Sequence, residues 1–327
     1  MNRDGGVRVA NFIKTVKNNV EYGSTTEQWT INIDKLSKIR VETEEAKIAV
    51  IIQDTPGIEV VLETYEGGPE LSTNLTKDEL EIKALSTKQT FLRKKHNCRL
   101  ILFVSSSIAD NWELLTSSGE ILCQQLTTKE THLKTSSGDI TFSVLEDQNN
   151  VENSGAPSGD TYLSTSSGDV KIEKIKGRKL RIKTSSGDIH LHNLLMHEAT
   201  LHSSSGDMTG EDICLEKLLF TSSSGNFLIK EVSGQLQGST SSGDVKVTIV
   251  EQAPLEIGTS SGDISIGFLS SILDGKIRVE TGSGEIKTNL VMDIEKQESN
   301  CLEGKIGQAR TVYQMKARSG DVYIYEI

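Results

Sequence analysis

Aromatic side chains make up only 5% of this 327-residue chain, which also has just four prolines and four cysteines. Scarce aromatics and a hydrophobic fraction of 35% imply a thin core of branched aliphatic residues, and so few prolines exclude a Pro-rich disordered linker. The cysteines, at 98, 123, 214 and 301, have no C-x-x-C spacing. They are too sparse for a disulfide framework in a chain of this length and read as reduced thiols. No stretch approaches the roughly 18 consecutive apolar residues of a membrane-spanning helix. The segment MNRDGGVRVANFIKTVKNNVEYGS lacks the apolar run and cleavage site of a signal peptide. The expected location is therefore cytoplasmic. Positive charge is short as well: 35 Lys and Arg face 46 Asp and Glu, for a net charge of −11. Such a field repels phosphate backbones and anionic headgroups, so nucleic acid is not an expected partner.

At this length the chain is either two domains or one elongated repeat array. Glycine spacing favours the array. Turn glycines fall at Gly119, Gly138, Gly168, Gly187, Gly206, Gly225, Gly243, Gly262, Gly284 and Gly320, at intervals of 19, 30, 19, 19, 19, 18, 19, 22 and 36. The interval of 30 is one repeat plus an insertion at 146–160, and that of 36 splits if Gly304 marks a degenerate turn. About eleven repeats follow residue 116.

Period-2 alternation flanks each turn. The second residue after the glycine is apolar (Ile140, Val170, Ile189, Met208, Phe227, Val245, Ile264, Ile286, Val322), and the fourth usually is too. Before the glycine, Leu133, Leu163, Ile182, Leu201, Phe220 and Ile257 stand at minus five, and Thr135, Thr165, Thr184, Thr240 and Thr259 at minus three. One strand therefore enters each turn and another leaves it. The threonines share the inward parity, where a hydroxyl can bond its own backbone or the next coil. Ser-Ser-Gly-Asp is turn chemistry, with Gly tolerating positive φ and Ser and Asp bonding nearby backbone.

The pattern predicts an all-β chain, a single parallel β-solenoid of coils of about 19 residues, each burying its apolar face only by stacking on its neighbours. An antiparallel meander with turns along one rim is the alternative topology. Residues 1–25 are expected to be a loosely ordered tail, 26–115 atypical N-terminal coils forming a cap, and 116–327 the regular repeats. Within the cap, Val41–Val50 keeps the alternation without the glycine, and Leu80–Lys95 suits a solvated edge.

From roughly Trp29 to Ile327 the chain resembles the bacterial putative-adhesin family of β-strand repeats. That family is one of unknown function, recognised by serial T-S-S-G-D-[IV]-x-[IV] units such as Thr184–Leu191. The resemblance implies a right-handed parallel β-solenoid. In some bacterial members it also implies an association with cell-envelope stress systems, here at the inner face of the envelope.

An enzyme needs unlike groups converging on one reacting atom, whereas a repeat delivers identical groups along a line. No G-x-S-x-G elbow with His and acid partners, no P-loop and no G-x-G-x-x-G after a strand occurs. No catalytic residue and no cofactor is expected. The acidic row Glu120, Asp139, Asp169, Asp188, Asp207, Asp244, Asp263, Glu285 and Asp321 follows the turn glycines. It reads either as carboxylates accepting turn N–H bonds or as oxygen ligands for a divalent cation. Four of the six histidines cluster at His190, His192, His197 and His202. In a 19-residue register His192 stacks between Glu173 and Glu211, so His190, His192, Glu173 and Glu211 are candidate zinc ligands; ordinary solvated pairing is the competing reading.

Two function classes remain. One is a scaffold that docks a protein partner or its own copies through its faces or ends. The other is a ligand-binding module for cations or carbohydrate along the acidic row or at the 146–160 loop, with Asn149, Asn150 and Asn153. Val322–Ile327 reads as an uncapped apolar edge that invites pairing.

Overall fold

The computed structural model describes residues 11–19, 24–53, 56–86, 97–124, 126–143, 159–269 and 273–327. Nearly all of the 146–160 insertion, with Asn149, Asn150 and Asn153, therefore lies outside the described residues, as does 87–95 of the expected solvated edge. Every regular element described is a β-strand. None of the described residues forms a helix long and apolar enough to cross a membrane. The chain divides into two compact units, Met1–Thr165 and Ser166–Ile327.

The first unit contains β1 (Asn11–Asn19), β2 (Ser24–Asn32), β3 (Leu36–Thr43), β4 (Lys47–Ile52), β5 (Ile58–Tyr65), β6 (Glu70–Thr76) and β7 (Glu79–Leu85). It continues through β8 (Arg99–Val104), β9 (Ala109–Thr116), β10 (Ile121–Gln124), β11 (Glu130–Lys134), β12 (Ile140–Ser143) and β13 (Asp160–Ser164). One parallel row runs β7, β3, β9, β11, β13 and a second runs β8, β4, β10, β12. The segment from β3 to β4, although early in sequence, thus lies between strands that come later. Antiparallel strands close the array: β5 on β8, β2 on β5, β1 on β2, and β6 on β7. The 1–25 segment, expected as a tail, therefore contributes a strand. Period-2 patterning was weak there because β1 carries a ladder on one side and its residues 13–17 are all exposed.

In the second unit β14 (Val170–Lys183), β15 (Ile189–Ser203), β16 (Met208–Ser222) and β17 (Phe227–Thr240) stack in parallel, the first three with partners 19 residues apart, as in Val170↔Ile189↔Met208. β18 (Val245–Ile249) and β19 (Leu255–Thr259) both lie on β17, and β20 (Ile264–Phe268) lies on β18. Next in sequence come β21 (Gly275–Thr281), β22 (Ile286–Thr288), β23 (Asp293–Glu298), β24 (Cys301–Ile306), β25 (Thr311–Ala317) and β26 (Val322–Glu326). Spatial order departs from sequence order here. β26 is inserted between β20 and β22, β25 lies between β19 and β21, and the antiparallel pair β24–β23 closes on β21. This overturns the reading of Val322–Ile327 as an open edge: β26 has a ladder on both sides, Val322 is 0% exposed and Ile324 1%. Sequence order suggested an edge; strand insertion removed it.

Each long strand of the second unit bends at a left-handed residue: Lys174, Asn193, Asp212 and Glu231 have φ of 54°, 54°, 57° and 55°. The bend shifts the inward parity, so Ile172 is followed by Ile175 and Leu191 by Leu194, three positions on instead of two. An inward apolar set such as Ile189, Leu191, Leu194, Met196, Ala199 and Leu201 is buried only because its neighbours repeat it. Volume is balanced between stacked positions: the Phe220 ring occupies the space in front of Gly238, where a Cβ would lie 2.2 Å from Phe220 Cδ1.

The turns follow one scheme, and glycine serves it differently from the expectation. Among the described residues the positive-φ glycines are Gly57, Gly67, Gly234 and Gly307; no turn glycine is among them. Close approach is the reason instead. A Cβ on Gly187 would lie 1.7 Å from Gly168 O, on Gly206 1.9 Å from Gly187 O, and on Gly320 2.0 Å from Gly262 O. Below most of these glycines sits a buried hydroxyl; below Gly320 the position is filled by Ala317. Gly187 N–H donates to Thr184 Oγ1 (3.0 Å), Gly206 N–H to Ser203 Oγ (2.9 Å) and Gly243 N–H to Thr240 Oγ1 (3.1 Å). Thr240 Oγ1 also donates to Gly225 O at 3.2 Å, linking stacked turns. Serine at 203 and 222 supplies the same hydroxyl.

Candidate functional site

From Asp169 to Asp321 the acidic row is engaged by the fold through one oxygen per side chain, while Glu120 and Glu285 pair with Lys47 and Lys287. Asp188 N–H donates to Asp169 Oδ1, Asp207 N–H to Asp188 Oδ1, and Asn226 N–H to Asp207 Oδ1, all at 2.8 Å. The series continues from Asp244 N–H to Asn226 Oδ1 (2.9 Å), Asp263 to Asp244, Asp321 to Asp263 and Glu285 to Asp321 (each 2.8 Å). One carboxylate oxygen per turn thus satisfies the N–H of the same position on the stacked turn. Asn226 does this with an amide oxygen, so the position needs an acceptor and not a charge. The Asp321 carboxyl is held below its usual range first by the Glu285 N–H and then by the Tyr323 hydroxyl.

Variation begins where outward positions carry unlike residues. In β14–β17 the register sets Lys171, His190, Thr209 and Leu228 in one row and Glu173, His192, Glu211 and Lys230 in the next. Short side chains at Thr209 and Gly210 between taller neighbours leave an open groove of about 280 Å³ lined by these residues. Gly210 takes an inward position that holds Ile172 and Leu191 on the preceding strands, and its missing side chain makes room for Ile229 Cδ1.

Pairing inside the groove is defined. Lys171 Nζ lies 2.8 Å from Glu173 Oε1, and the Glu173 carboxyl is held below its ordinary value first by that hydrogen bond and further by the positive fields of Lys171, His192 and Lys174. His190 Nδ1 lies 2.8 Å from Thr209 Oγ1, which leaves Nε2 as the ring's other polar atom. At the bend beside the groove, Asp212 pushes the Glu231 carboxyl above its ordinary range, through a hydrogen bond first and then through like charge.

The structure brings His190, His192, Glu173 and Glu211 to this one groove. It sends His197 and His202 elsewhere, with Nδ1 on Glu216 Oε1 (2.9 Å) and on Thr221 Oγ1 (2.8 Å). Among the described residues no group of three or more His, Cys, Asp or Glu is arranged to hold a metal ion. Lys171 and Lys230 within the same lining also oppose a cation. Cys123 is fully buried, and burial pushes its thiol pKa up. What the groove offers is alternating donors and acceptors spread over four strands, a surface for polar recognition.

Missing from the sequence reading were Lys171, Thr209, Gly210, Leu228 and Lys230. A usable signal existed at Gly210, the one glycine at the fourth position after a turn where Ile172, Leu191 and Ile229 stand elsewhere.

Several solved structures are similar to this chain at low identity. One is a putative lipid binding protein from Parabacteroides distasonis, with 16% identity, a TM-score of 0.43, and coverage of 93% of this chain and 97% of that one. Others are a putative adhesin from Bacteroides fragilis (12%, TM-score 0.38, 93% and 97% covered) and a putative cell adhesion protein from Clostridium sporogenes (8%, TM-score 0.22, 97% and 100% covered). No curated protein sequence is similar to the chain. The resemblance expected from Trp29 onward is matched by a family model over residues 157–325, a span that contains the groove and most of the turn row, and the chain belongs to that family, Toastrack DUF4097.

Proposed function

We propose that this chain is a non-enzymatic β-solenoid interaction module, with coils of about 19 residues most regular in β14–β17, that docks a protein partner on its outward strand faces. Its right-handed sense is what the family resemblance implies. One observation carries the functional reading. The groups that repeat, turn carboxylates and turn hydroxyls, are engaged with backbone, whereas the outward rows at the Lys171–Lys230 groove hold unlike charges with room above them. Repetition serves the fold, and recognition is left to the positions that vary. What the sequence resemblance adds is a setting, the inner face of a bacterial envelope under stress; imaging a fluorescent fusion tests that part separately.

Affinity capture on the immobilised full chain tests the reading, using wild type and a groove variant, His192→Ala with Glu211→Ala. A partner retained by wild type, lost by the variant and indifferent to EGTA is the expected result. Retention only in the presence of Ca²⁺, or a calorimetric heat on titrating Ca²⁺ that disappears in Asp188→Asn with Asp207→Asn, would replace it with a cation-binding role for the turn row.

A further inference from the structure

We propose that β1 is a self-pairing edge through which two copies of this chain associate, antiparallel and centred on Thr15. This deepens the interaction-module reading by naming one partner, and it stands apart from any capture at the groove. Among the described residues β1 is hydrogen-bonded only to β2, in an unbroken register from Asn11↔Asn32 to Asn19↔Ser24. Its outer side presents the backbone donors and acceptors of alternate residues along a nine-residue strand, a template whose complement is another strand.

Other strands with a single ladder are guarded. β22 has only three residues. β23 has six, four of them charged (Asp293, Glu295, Lys296, Glu298), with a register break between Ile294 and Lys296. β6 has seven and buries Leu71. β1 is longer and unbulged, with Ile13 58% and Val16 48% exposed. Of its two lysines, Lys14 is drawn onto the sheet, 3.0 Å from Glu27 and 5.2 Å from the centre of the Trp29 ring. Lys17 alone is a weak guard against strand addition.

The strand's own order selects a second copy as occupant. Antiparallel pairing about Thr15 sets Ile13 opposite Lys17 of the second copy, Lys14 opposite Val16, and Thr15 opposite Thr15. No like charges then oppose one another, and each exposed apolar side chain meets the aliphatic stem of a lysine. A single strand pair buries less than the roughly 1,200 Å² of a standard interface, so association is weak and reversible. Each copy carries a net charge of −11, so long-range repulsion opposes pairing and added salt strengthens it; docking of Lys14 and Lys17 on an acidic partner would respond the opposite way.

Sedimentation velocity on the full chain between about 1 and 100 µM, in low and in 0.3 M salt, reads the association directly. Expected is a rise of sedimentation coefficient with concentration, stronger in salt, abolished by Ile13→Lys with Val16→Lys at unchanged circular dichroism, and kept by Ile294→Lys on the β23 edge. Register is read separately by oxidising Thr15→Cys in a Cys214→Ser background, where a disulfide dimer forms faster than with Lys17→Cys. A wild type that stays monomeric throughout, a dimer indifferent to the double lysine variant, or one kept by it and lost by Ile294→Lys overturns the proposal. None of these outcomes bears on partner capture at the groove.

Discussion

Gly206→Ala separates two explanations of the turn glycine that the sequence alone does not distinguish. A Cβ there would stand 1.9 Å from Gly187 O, and its three nearest neighbours are all backbone atoms, so no rotamer change relieves the clash. Restoring ordinary contact opens the stacked turns by more than about 1 Å, out of hydrogen-bond range. The bonds beside the contact are Ser205 N–H to Ser185 O (2.9 Å) and Asp207 N–H to Asp188 Oδ1 (2.8 Å). Losing two bonds at about 1 kcal/mol each, plus overpacking of about 1–3 kcal/mol, gives roughly 3–5 kcal/mol. Gly206→Asn should be at least as damaging, whereas a requirement for positive φ would spare asparagine. Gly258→Ala is the control, because its nearest new neighbour would be Ser239 Cβ at 3.7 Å. Urea denaturation followed by circular dichroism measures all three. A Gly206→Ala loss below about 1 kcal/mol and no larger than that of Gly258→Ala, or a clear rescue by asparagine, would refute the close-approach argument.

Acceptor and charge separate at Asp188: Asp188→Asn should keep stability within about 0.5 kcal/mol and Asp188→Ala should lose about 1 kcal/mol in the same assay, since Asn226 already fills this role. At Thr184, fully buried with Oγ1 accepting the Gly187 N–H, serine should be mild as at Ser203, and valine should cost about 1–3 kcal/mol by leaving that N–H unsatisfied. Deleting Val322–Ile327 should lower the melting temperature sharply and expose β20 and β22 amides to hydrogen exchange, an outcome opposite to that for a dispensable edge. Lys305 and Lys276 hold the Glu295 carboxyl at about 2. A depressed folded pKa contributes stability above the unfolded value of about 4.3 that is lost as pH falls toward about 2. The β23–β24 pair should therefore loosen over that window, and Glu295→Gln should flatten the dependence of the urea midpoint on pH.

The coil was legible because its signals are local and repeated. Nineteen-residue glycine spacing reappears as partners 19 apart in β14–β16, and the inward hydroxyl at minus three is buried wherever Thr or Ser stands there. The bend was harder, since Lys174, Asn193, Asp212 and Glu231 share a conformation but no side-chain chemistry. Its trace is the three-residue step from Ile172 to Ile175, repeated at Leu191–Leu194 and Ile229–Val232, which breaks strand periodicity at a fixed place. Strand order near the ends was not legible at all. The residues of β26 alternate like those of any interior strand, and only pairing energies decide whether such a strand lies outside β22 or between β20 and β22.

That insertion changes how the second unit should come apart. In a simple array each repeat touches only its sequence neighbours, and fraying proceeds one coil at a time from an end. Here β20 meets β26, and β26 in turn meets β22, so removing the last strand in sequence uncovers both the apolar face of Ile264 and Ile266 and that of Ile286. Val322 and Ile324 are nearly unexposed, and each loses about 1.5–3 kcal/mol of burial when β26 leaves. Its parallel companion β25 is tied to β19 and β21 in the same way through Tyr313 and Met315, both 0% exposed. Separation therefore requires β19–β22 and β25–β26 to open together as one cooperative block, while β14–β16, joined only in sequence order, remain free to open strand by strand. Native-state hydrogen exchange should show a single shared opening energy across β19–β22 and β25–β26, and a graded series across β14–β16.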